Sequence, residues 1–315
     1  MLSEFLVCPT GVPQGSILGP LLFLLFFNDL PANIASSVDS YADDTTITAC
    51  GPSIEEIEVR LNQDCLNISQ WMRSNKMKLN PEKTHLLTLG TQRKLASLSR
   101  PLQIEMDGVP LKEDNSKTEL LLGCMVEGNL KWNRHIDVLH SKLKKRLAGL
   151  SSIKYCCKFP SRKMFAEGIF TSVMVYCLPL FGGMQISQMK DLQVLQSQAA
   201  RIVCHAPPRT KRADLFKKLN WLSVNQLVSY HTVIQVFKIR YHRDPEYLAS
   251  ILGLNGRNGR IRTQNPILSS AANSFCFRGT ELWNQLPEQL RCENKIGRFN
   301  NGLKKWIAEN VQQFL

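Results

Sequence analysis

The sequence predicts an α+β fold, with short antiparallel strands among helices in the first 130 residues and mostly helices beyond. A β-branched run is interrupted by two aspartates at residues 43–44, as in a hairpin, and a second strand–turn–strand pattern lies near residue 125. From residue 136 onward, apolar residues recur at helical spacing. The chain has 315 residues, 43% of them hydrophobic and 21% charged, so it can hold one large or two modest globular domains.

The first predicted element is a loop followed by an apolar helix. Residues 11–16, Gly-Val-Pro-Gln-Gly-Ser, are typical of a loop before a helix start. Ser16 can cap the helix, Gln14 offers an amide, and Gly15 would let a ligand approach the backbone closely. The apolar run at residues 17–27 is too short to span a bilayer and follows no basic residue. We therefore expect a buried core helix and no membrane partner.

The second predicted element is a hairpin at residues 38–47, Val-Asp-Ser-Tyr-Ala-Asp-Asp-Thr-Thr-Ile. A short strand-like run meets two adjacent aspartates and resumes with β-branched residues, which predicts that Asp43 and Asp44 lie at the turn. An isolated pair of this kind is most often structural. Paired carboxylates can instead hold Mg²⁺, which prefers oxygen ligands and is commonly bound by one or two carboxylates plus substrate phosphates.

Together, these two stretches resemble motifs B and C of reverse transcriptases. The resemblance rests on Gly-Val-Pro-Gln-Gly-Ser-Ile-Leu-Gly-Pro-Leu-Leu-Phe at residues 11–23 and on Tyr-Ala-Asp-Asp at residues 41–44. In that family the Pro-Gln-Gly loop supports the incoming nucleotide and the template, and the hairpin carries two of three metal-binding aspartates. The resemblance implies metal ligation and catalysis by Asp43 and Asp44. It also implies substrate contacts from Pro13, Gln14, Gly15, Ser16 and Tyr41.

Residues 54–84 extend the resemblance. Apolar residues from Ile54 to Trp71 recur at helical spacing, which predicts an amphipathic helix. Met-Lys-Leu-Asn at residues 77–80 and Pro-Glu-Lys-Thr at residues 81–84 look like the retrotransposon form of motif D. That resemblance places Lys83 near the nucleotide phosphates, where it would protonate the leaving pyrophosphate. A solvated surface lysine is the alternative.

A basic helix is predicted after the second hairpin. Residues 120–132 resemble the primer-gripping hairpin of these polymerases, and residues 131–163 then hold ten Lys or Arg and one acid. Apolar residues from Ile136 to Leu150 recur at helical spacing, which predicts an amphipathic helix that would lie along a duplex as a polymerase thumb. A solvated basic face is the alternative. The candidate nucleic-acid contacts on this helix are Lys142, Lys144, Lys145 and Arg146.

The rest of the chain is predicted to be mostly helical. Its amphipathic stretches lie at residues 164–175, 189–203, 214–219 and 224–241. It resembles the region that follows the polymerase in jockey-like and CR1-like non-LTR retrotransposons. We therefore divide the chain into a partial polymerase palm at residues 1–130, a thumb-like basic helix at residues 131–160 and a helical C-terminal region at residues 161–315.

Charge and cysteine distribution narrow the class of partner. The net charge is +13, and all 39 Lys and Arg residues follow residue 50, which favours a polyanionic partner. The ten cysteines are scattered without a Cys-x-x-Cys pair, which argues against a zinc ribbon or a redox motif. We expect reduced, mostly buried thiols in an intracellular protein, and the family implies the nucleus or the cytoplasm.

The resemblance implies RNA template, DNA primer and deoxynucleoside triphosphates as partners, but the family's fingers and motif A would precede residue 1. We expect a polymerase fragment that is inactive alone unless a partner chain supplies the missing palm elements. Mg²⁺, or Mn²⁺ in its place, would bind only in the completed site. Asp39, expected to share a strand face with Asp43, and Asp29 are poor substitutes for the missing aspartate. Residues 1–50 should be poorly anchored. The alternative function is a non-catalytic nucleic-acid-binding remnant or interaction module.

Overall fold

The computed structural model describes residues 11–13, 15–113, 117–243, 245–252, 259–262 and 274–310. The chain forms two compact units, residues 1–119 and 120–315. Helices and antiparallel hairpins make up both, so the predicted α+β class is confirmed. In this described part of the chain the strands form three separate two-stranded ladders. None of the helices there is both long and apolar enough to cross a membrane.

The first unit is built around one long helix. Its elements are α1 (Gly19–Phe27), β1 (Ser37–Tyr41), β2 (Asp44–Thr48), α2 (Ile54–Ser74), α3 (Gln92–Ala96), β3 (Glu105–Met106) and β4 (Val109–Pro110). Helix α2, predicted from its apolar spacing, begins where the Ser53 side chain accepts a hydrogen bond from the Glu56 amide. Side chains of α2 take part in two small apolar clusters. Phe27 and Leu30 meet Ile68 and Trp71 in one, and Cys65 meets Ile104 and Met106 in the other.

Helix α1 forms as predicted, but the expectation that it is a buried core helix is wrong. Phe27 is buried, with its ring 5.5 Å from that of Trp71 at a steep angle. Among the described residues, the elements beside α1 cover only this side. The large apolar side chains that remain exposed are Leu18, Leu21, Leu22, Leu24, Leu25 and Phe26. The apolar run thus predicted that a helix forms, but it did not predict how much of the helix surface other elements bury.

Helices dominate the second unit. Strand β5 (Thr118–Leu121) starts at the boundary between the units and pairs with β6 (Cys124–Glu127). The helices that follow are α4 (Asn133–Ser152), α5 (Phe159–Ala166), α6 (Ser172–Val175), α7 (Leu178–Phe181), α8 (Ile186–Cys204), α9 (Arg212–Leu219), α10 (Val224–His242), α11 (Glu246–Ile251), α12 (Phe275–Gln285), α13 (Glu288–Arg291) and α14 (Ile296–Glu309). A π-helical turn, Glu167–Thr171, joins α5 to α6.

One continuous apolar core holds the second unit together, with α10 at its centre. The Phe237 ring stacks on Phe299 of α14 at 4.4 Å, and Phe299 stacks in turn on Trp283 of α12. Gly279 lets α12 approach α10 closely, because a Cβ atom there would lie 2.8 Å from a methyl group of Val236. The predicted helical character of this region is confirmed.

The expectation of mostly buried cysteines is wrong. All nine described cysteines are free thiols, as expected, but only Cys65 and Cys124 among them are buried. Five of the other seven lie in turns or loops outside the helices and strands, where the core does not fully cover them.

Candidate functional site

The predicted carboxylate hairpin forms with a two-residue turn. Strands β1 and β2 are antiparallel, and Tyr41 pairs with Asp44 at the turn. Ala42 and Asp43 form the turn itself, and Ala42 has a left-handed backbone with φ of 54°. Both aspartates are exposed. The predicted hairpin is therefore confirmed, with Asp43 in its turn as expected, but Asp44 is the first residue of β2 and not part of the turn.

The two faces of the hairpin have different environments. Ile47 packs towards the cluster around Trp71, so its face is turned to the protein. Cross-strand partners lie on the same face, and successive residues alternate between faces. The register therefore places Asp39, Tyr41, Asp44 and Thr46 together on the outer face. Asp39 shares its face with Asp44, and the expectation that it would share a face with Asp43 is wrong, because Asp43 belongs to the turn.

The donor set suits a hard divalent cation but is incomplete in the residues described. Adjacent exposed carboxylates are the kind of ligand that Mg²⁺ takes. No group of three or more His, Cys, Asp or Glu side chains in the described part of the chain could hold a metal ion. Two carboxylates at a turn would therefore bind a cation weakly without additional oxygen ligands.

A buried carboxylate on α2, not singled out from the sequence, holds the base of the hairpin. Asp64 is fully buried, and its two oxygens accept hydrogen bonds from the backbone amides of Ala35 and Ser36 at 2.8 and 3.1 Å. The Asn67 side chain donates to the Asn33 carbonyl at 2.9 Å. The segment that enters β1 is thus fixed to α2 by side-chain contacts. The available signal was an Asp at a position of the apolar stripe, three residues after Leu61 and four before Ile68.

The loop before α1 is described at three of its four predicted substrate-binding positions. The Ser16 amide donates to the Pro13 carbonyl at 3.2 Å, and the Ser16 hydroxyl accepts from the Gly19 amide at 3.0 Å. Ser16 therefore accepts a hydrogen bond from the first amide of α1, although the N-cap position itself is Leu18, which has no side-chain cap. Gly15 has φ of 82°, a backbone conformation that favours glycine. Gln14 lies outside the described residues.

Lys83 and Tyr41 are both exposed. Lys83 ends a 3-10 turn, Pro81–Lys83, whose start is capped by the Asn80 side chain. Among the described residues, no hydrogen bond or ion pair joins Lys83 to Asp43 or Asp44. Tyr41 is 69% exposed beside the carboxylates, so its ring is available to a ligand.

Helix α4 has the predicted amphipathic character. Its buried face carries Leu139 and Leu143, whereas the four predicted nucleic-acid contacts are exposed. Those four residues are Lys142, Lys144, Lys145 and Arg146. Lys144 also lines a groove of about 270 Å³ between α4 and α8, together with His140 and Asp191. The basic face is thus open to a polyanion.

A basic aromatic cluster next to α4 was missed from the sequence. Tyr155 is 78% exposed, with the His205 ring edge-on at 5.1 Å and the Lys154 Nζ atom 5.2 Å from its ring centroid. Lys218 lies 5.1 Å from the ring of Phe159. These side chains come from the α4–α5 turn and from the ends of α8 and α9. Only the fold brings them together, although the Lys-Tyr dipeptide after a basic helix was a faint signal.

The buried Arg162 side chain fixes this cluster. Its guanidinium donates to the carbonyls of Lys154 and Cys157 in the α4–α5 turn and, at 3.0 Å, to that of Val203 near the end of α8. The turn that carries Tyr155 is thereby tied to the helix that carries His205.

The chain is similar in sequence to known polymerases of transposable elements. A family model of reverse transcriptases (RNA-dependent DNA polymerases) matches residues 2–148. The chain is 26% identical over 247 residues to a probable RNA-directed DNA polymerase from transposon BS of Drosophila melanogaster, covering 75% of this chain and 27% of that protein. It is 24% identical over 261 residues to the RNA-directed DNA polymerase from mobile element jockey of the same species, covering 77% and 27%.

A third relative is the Retrovirus-related Pol polyprotein from type-1 retrotransposable element R1 of Nasonia vitripennis. It is 25% identical over 222 residues, covering 67% of this chain and 65% of that protein. The chain spans about a quarter of the length of the two Drosophila relatives. No solved structure matches the chain significantly.

Proposed function

We propose that this chain, which belongs through residues 2–148 to the reverse transcriptases of non-LTR retrotransposons, supplies the carboxylate hairpin of a two-metal nucleotidyl-transfer site. The exposed Asp43–Asp44 pair carries this proposal, because it lies on a hairpin whose base is held by the buried Asp64. The substrates would be deoxynucleoside triphosphates, an RNA template and a DNA primer.

Each residue of the site has a distinct proposed role. Asp43 and Asp44 would hold Mg²⁺, or Mn²⁺, whose positive charge stabilises phosphates during nucleotidyl transfer when it is bound. Tyr41 and the loop of Pro13, Gln14, Gly15 and Ser16 would position the nucleotide and the template. Lys83 would donate a proton to the leaving pyrophosphate.

A further ligand must join the two aspartates. Among the described residues, no third side chain completes a metal-binding group with the pair. The additional ligand would come from another palm element, either in a longer chain or in a partner chain. Removing a charge-neutralising group from such a site costs orders of magnitude in rate, so we propose that residues 1–315 alone do not extend a primer.

Primer extension on poly(rA)/oligo(dT) with Mg²⁺ tests this proposal. The chain alone should extend no primer. A chimera with the preceding polymerase region of the Drosophila jockey relative placed before residue 11 should extend it. Asp43→Asn and Asp44→Asn should each abolish extension by the chimera. Asp39→Asn is the matched control, since it makes the same change on the hairpin's outer face and should leave extension intact. Full activity in the Asp43→Asn, Asp44→Asn double variant would overturn the proposal.

Nucleic-acid binding without chemistry is a second candidate function, favoured by the exposed basic face of α4 and by the Tyr155 cluster. Each phosphate contact by a Lys or Arg releases condensed counterions, so binding weakens with salt. Changing Lys142, Lys144, Lys145 and Arg146 to Gln should reduce the slope of log K against log salt by about 3 if all four contact phosphates. Two results together would favour this function over the first: the chimera extends no primer, and the Asp43→Asn, Asp44→Asn change leaves its RNA binding unaffected.

A further inference from the structure

Two cysteines far apart in the sequence meet in the second unit. Cys124 begins β6, and Cys177 lies in the turn between α6 and α7. We propose that Cys124 and Cys177 form a reversible intramolecular disulfide when the protein meets a low-molecular-weight disulfide of the glutathione type. This proposal is independent of the polymerase function, because neither cysteine belongs to the carboxylate hairpin or to the basic surface.

Contacts between the Tyr176 side chain and the β5–β6 turn hold the two segments against each other. The Tyr176 hydroxyl donates a hydrogen bond to the Leu122 carbonyl at 2.6 Å. A Cβ atom added to Gly123 would lie 3.4 Å from the Tyr176 ring, so the ring packs directly on the β5–β6 turn. The next residue in each segment is the cysteine, so the two thiols lie close enough for each to shift the pKa of the other.

Helix α4 supports the same arrangement from another side. The Met125 amide donates to Nδ1 of His135 at 3.2 Å, and the His135 ring lies 4.6 Å from that of Phe181 in α7. His135 thus joins the residue after Cys124 to the short helix after Cys177. Burial lowers the pKa of His135, with a smaller contribution from nearby Lys142, which favours the neutral ring that can accept this hydrogen bond.

The two thiols differ in reactivity. The interaction with Cys124 lowers the pKa of Cys177, which favours the thiolate form of Cys177 over that of Cys124. The hydrogen bond to Cys177, together with burial, raises the pKa of Cys124. Cys124 is also 4% exposed, whereas Cys177 is partly accessible. Cys177 is therefore the attacking thiol, and Cys124 is the resolving thiol.

The chemistry is two thiol–disulfide exchanges. The Cys177 thiolate attacks one sulfur of the small disulfide, forming a mixed disulfide and releasing one small thiolate, which takes up a proton. Cys124 loses its proton and attacks the Cys177 sulfur, and the second small thiol leaves. The net result is one new S–S bond in the protein, two S–H bonds lost from it, and one small disulfide reduced to two thiols.

Oxidation would bind the β5–β6 hairpin covalently to the α6–α7 turn. Local opening of the hairpin would then require the turn to open with it. We expect slower hydrogen exchange of the residues 124–127 amides in the oxidised protein than in the reduced protein, with no change in the distant helix α14.

Differential alkylation and peptide mapping of the full chain test the proposal. The protein is equilibrated with reduced and oxidised glutathione at increasing ratios, remaining thiols are blocked, and cross-linked peptides are identified. A Cys124–Cys177 peptide should accumulate and should disappear on reduction. Finding both cysteines fully alkylated while exposed Cys50 or Cys292 carries glutathione would overturn the proposal.

Three variants distinguish the roles of the two thiols. Cys124→Ser should trap a glutathione adduct on Cys177, and Cys177→Ser should leave Cys124 unmodified because it is buried. Cys204→Ser is the matched control and should leave the cross-link unchanged. Circular dichroism checks that each variant is folded. Equal glutathione adducts on Cys124 and Cys177 in the respective partner variants would contradict the assigned order of attack.

Discussion

At the residue scale, the side chains that fix the candidate site are less conspicuous than those proposed to act in it. Asp43 and Asp44 are exposed at a turn, whereas Asp64 is fully buried and holds the entry to β1 through two backbone amides. Hydrogen bonds to a charged acceptor are stronger than neutral ones, and leaving their buried donors unpaired is costly. Asp64 is therefore a positioning residue for the hairpin.

Replacing Asp64 with Ala should reduce the free energy of local opening around residues 35–41 by about 2 kcal/mol, since two amides lose their acceptor. Asp64→Asn keeps one carbonyl acceptor and should have a smaller effect. Hydrogen exchange at the Ala35 and Ser36 amides measures both changes. Asp39→Ala, at an exposed position, is the control. Unchanged exchange at both amides in Asp64→Ala would show that other contacts hold this segment.

Tyr155 is the residue in the basic aromatic cluster that we expect to stack on a base. Stacking on an aromatic side chain contributes roughly 1–3 kcal/mol per base, so Tyr155→Ala should weaken binding of single-stranded RNA roughly 5- to 150-fold. Tyr155→Phe keeps the ring and should bind like the unchanged protein. Fluorescence anisotropy measures the affinities. Tyr247, also exposed at 59%, provides the control Tyr247→Ala, and equal losses in the two Ala variants would argue against a specific site.

Sequence patterns predicted the residues that lie in one segment and missed those that depend on distant pairings. The aspartate hairpin and the hydrogen bond between Ser16 and the start of α1 are local, so their signals were sufficient. The contact between Cys124 and Cys177 joins positions separated by all of α4, α5 and α6, so no spacing rule could indicate it. The same holds for Tyr155 and His205, which meet only because Arg162 ties their two segments together.

At the element scale, α2 organises the first unit partly through an ion pair. The Glu58 carboxylate accepts hydrogen bonds from Arg100, at 2.8 Å for one of them, and from the Gln103 amide. These contacts fasten the segment before β3 to the helix. The hydrogen bonds from Arg100 and then from Gln103 lower the pKa of Glu58 from 4.5 to about 2.

The stability that this pair provides should depend on pH. A carboxyl group whose pKa is lower in the folded state stabilises the protein above the unfolded pKa, and the contribution is lost as pH falls through the folded pKa. Glu58→Gln should therefore lower the melting temperature at pH 7, and its difference from the unchanged protein should shrink as pH falls from 4.5 towards 2. Thermal scans across this range measure the difference. Glu105→Gln, at an exposed strand position, is the control. A gap that stays constant down to pH 2 would contradict the assignment.

Helices with a clear apolar periodicity were predicted close to their observed positions, as α2, α4 and α10 show. The spacing also predicted the buried face of α4, whereas on α2 Leu66 is exposed and the buried Asp64 was not indicated. Helix α1 differs, since almost every position in it is apolar. Its pattern predicts no particular face, and its burial depends on which other elements are present to cover it.

At the scale of the whole molecule, the two units have unequal cores. The second has one continuous cluster that joins most of its helices, whereas the first has two clusters of a few side chains each around α2. Buried apolar area is the main source of stability, so the first unit should be much the weaker.

We expect residues 11–113 to lose protection against hydrogen exchange at a lower urea concentration than residues 124–243. Mass spectrometry of peptides from both units along a urea gradient measures the two midpoints. Trp71→Ala, which removes the centre of one small cluster, should lower the first midpoint and leave the second unchanged. A single shared midpoint for both units would contradict this expectation.

The face of α1 that the described residues leave exposed also has a consequence for the stability of the protein in a cell. Contiguous exposed leucines are what chaperones and degradation receptors bind, and they promote association between copies at high concentration. A chain released with this face bare should be short-lived, and any molecule that covers α1 should raise its abundance without changing its synthesis. The rate at which the protein is degraded in living cells would then indicate the fraction of molecules whose α1 face is covered by a bound molecule.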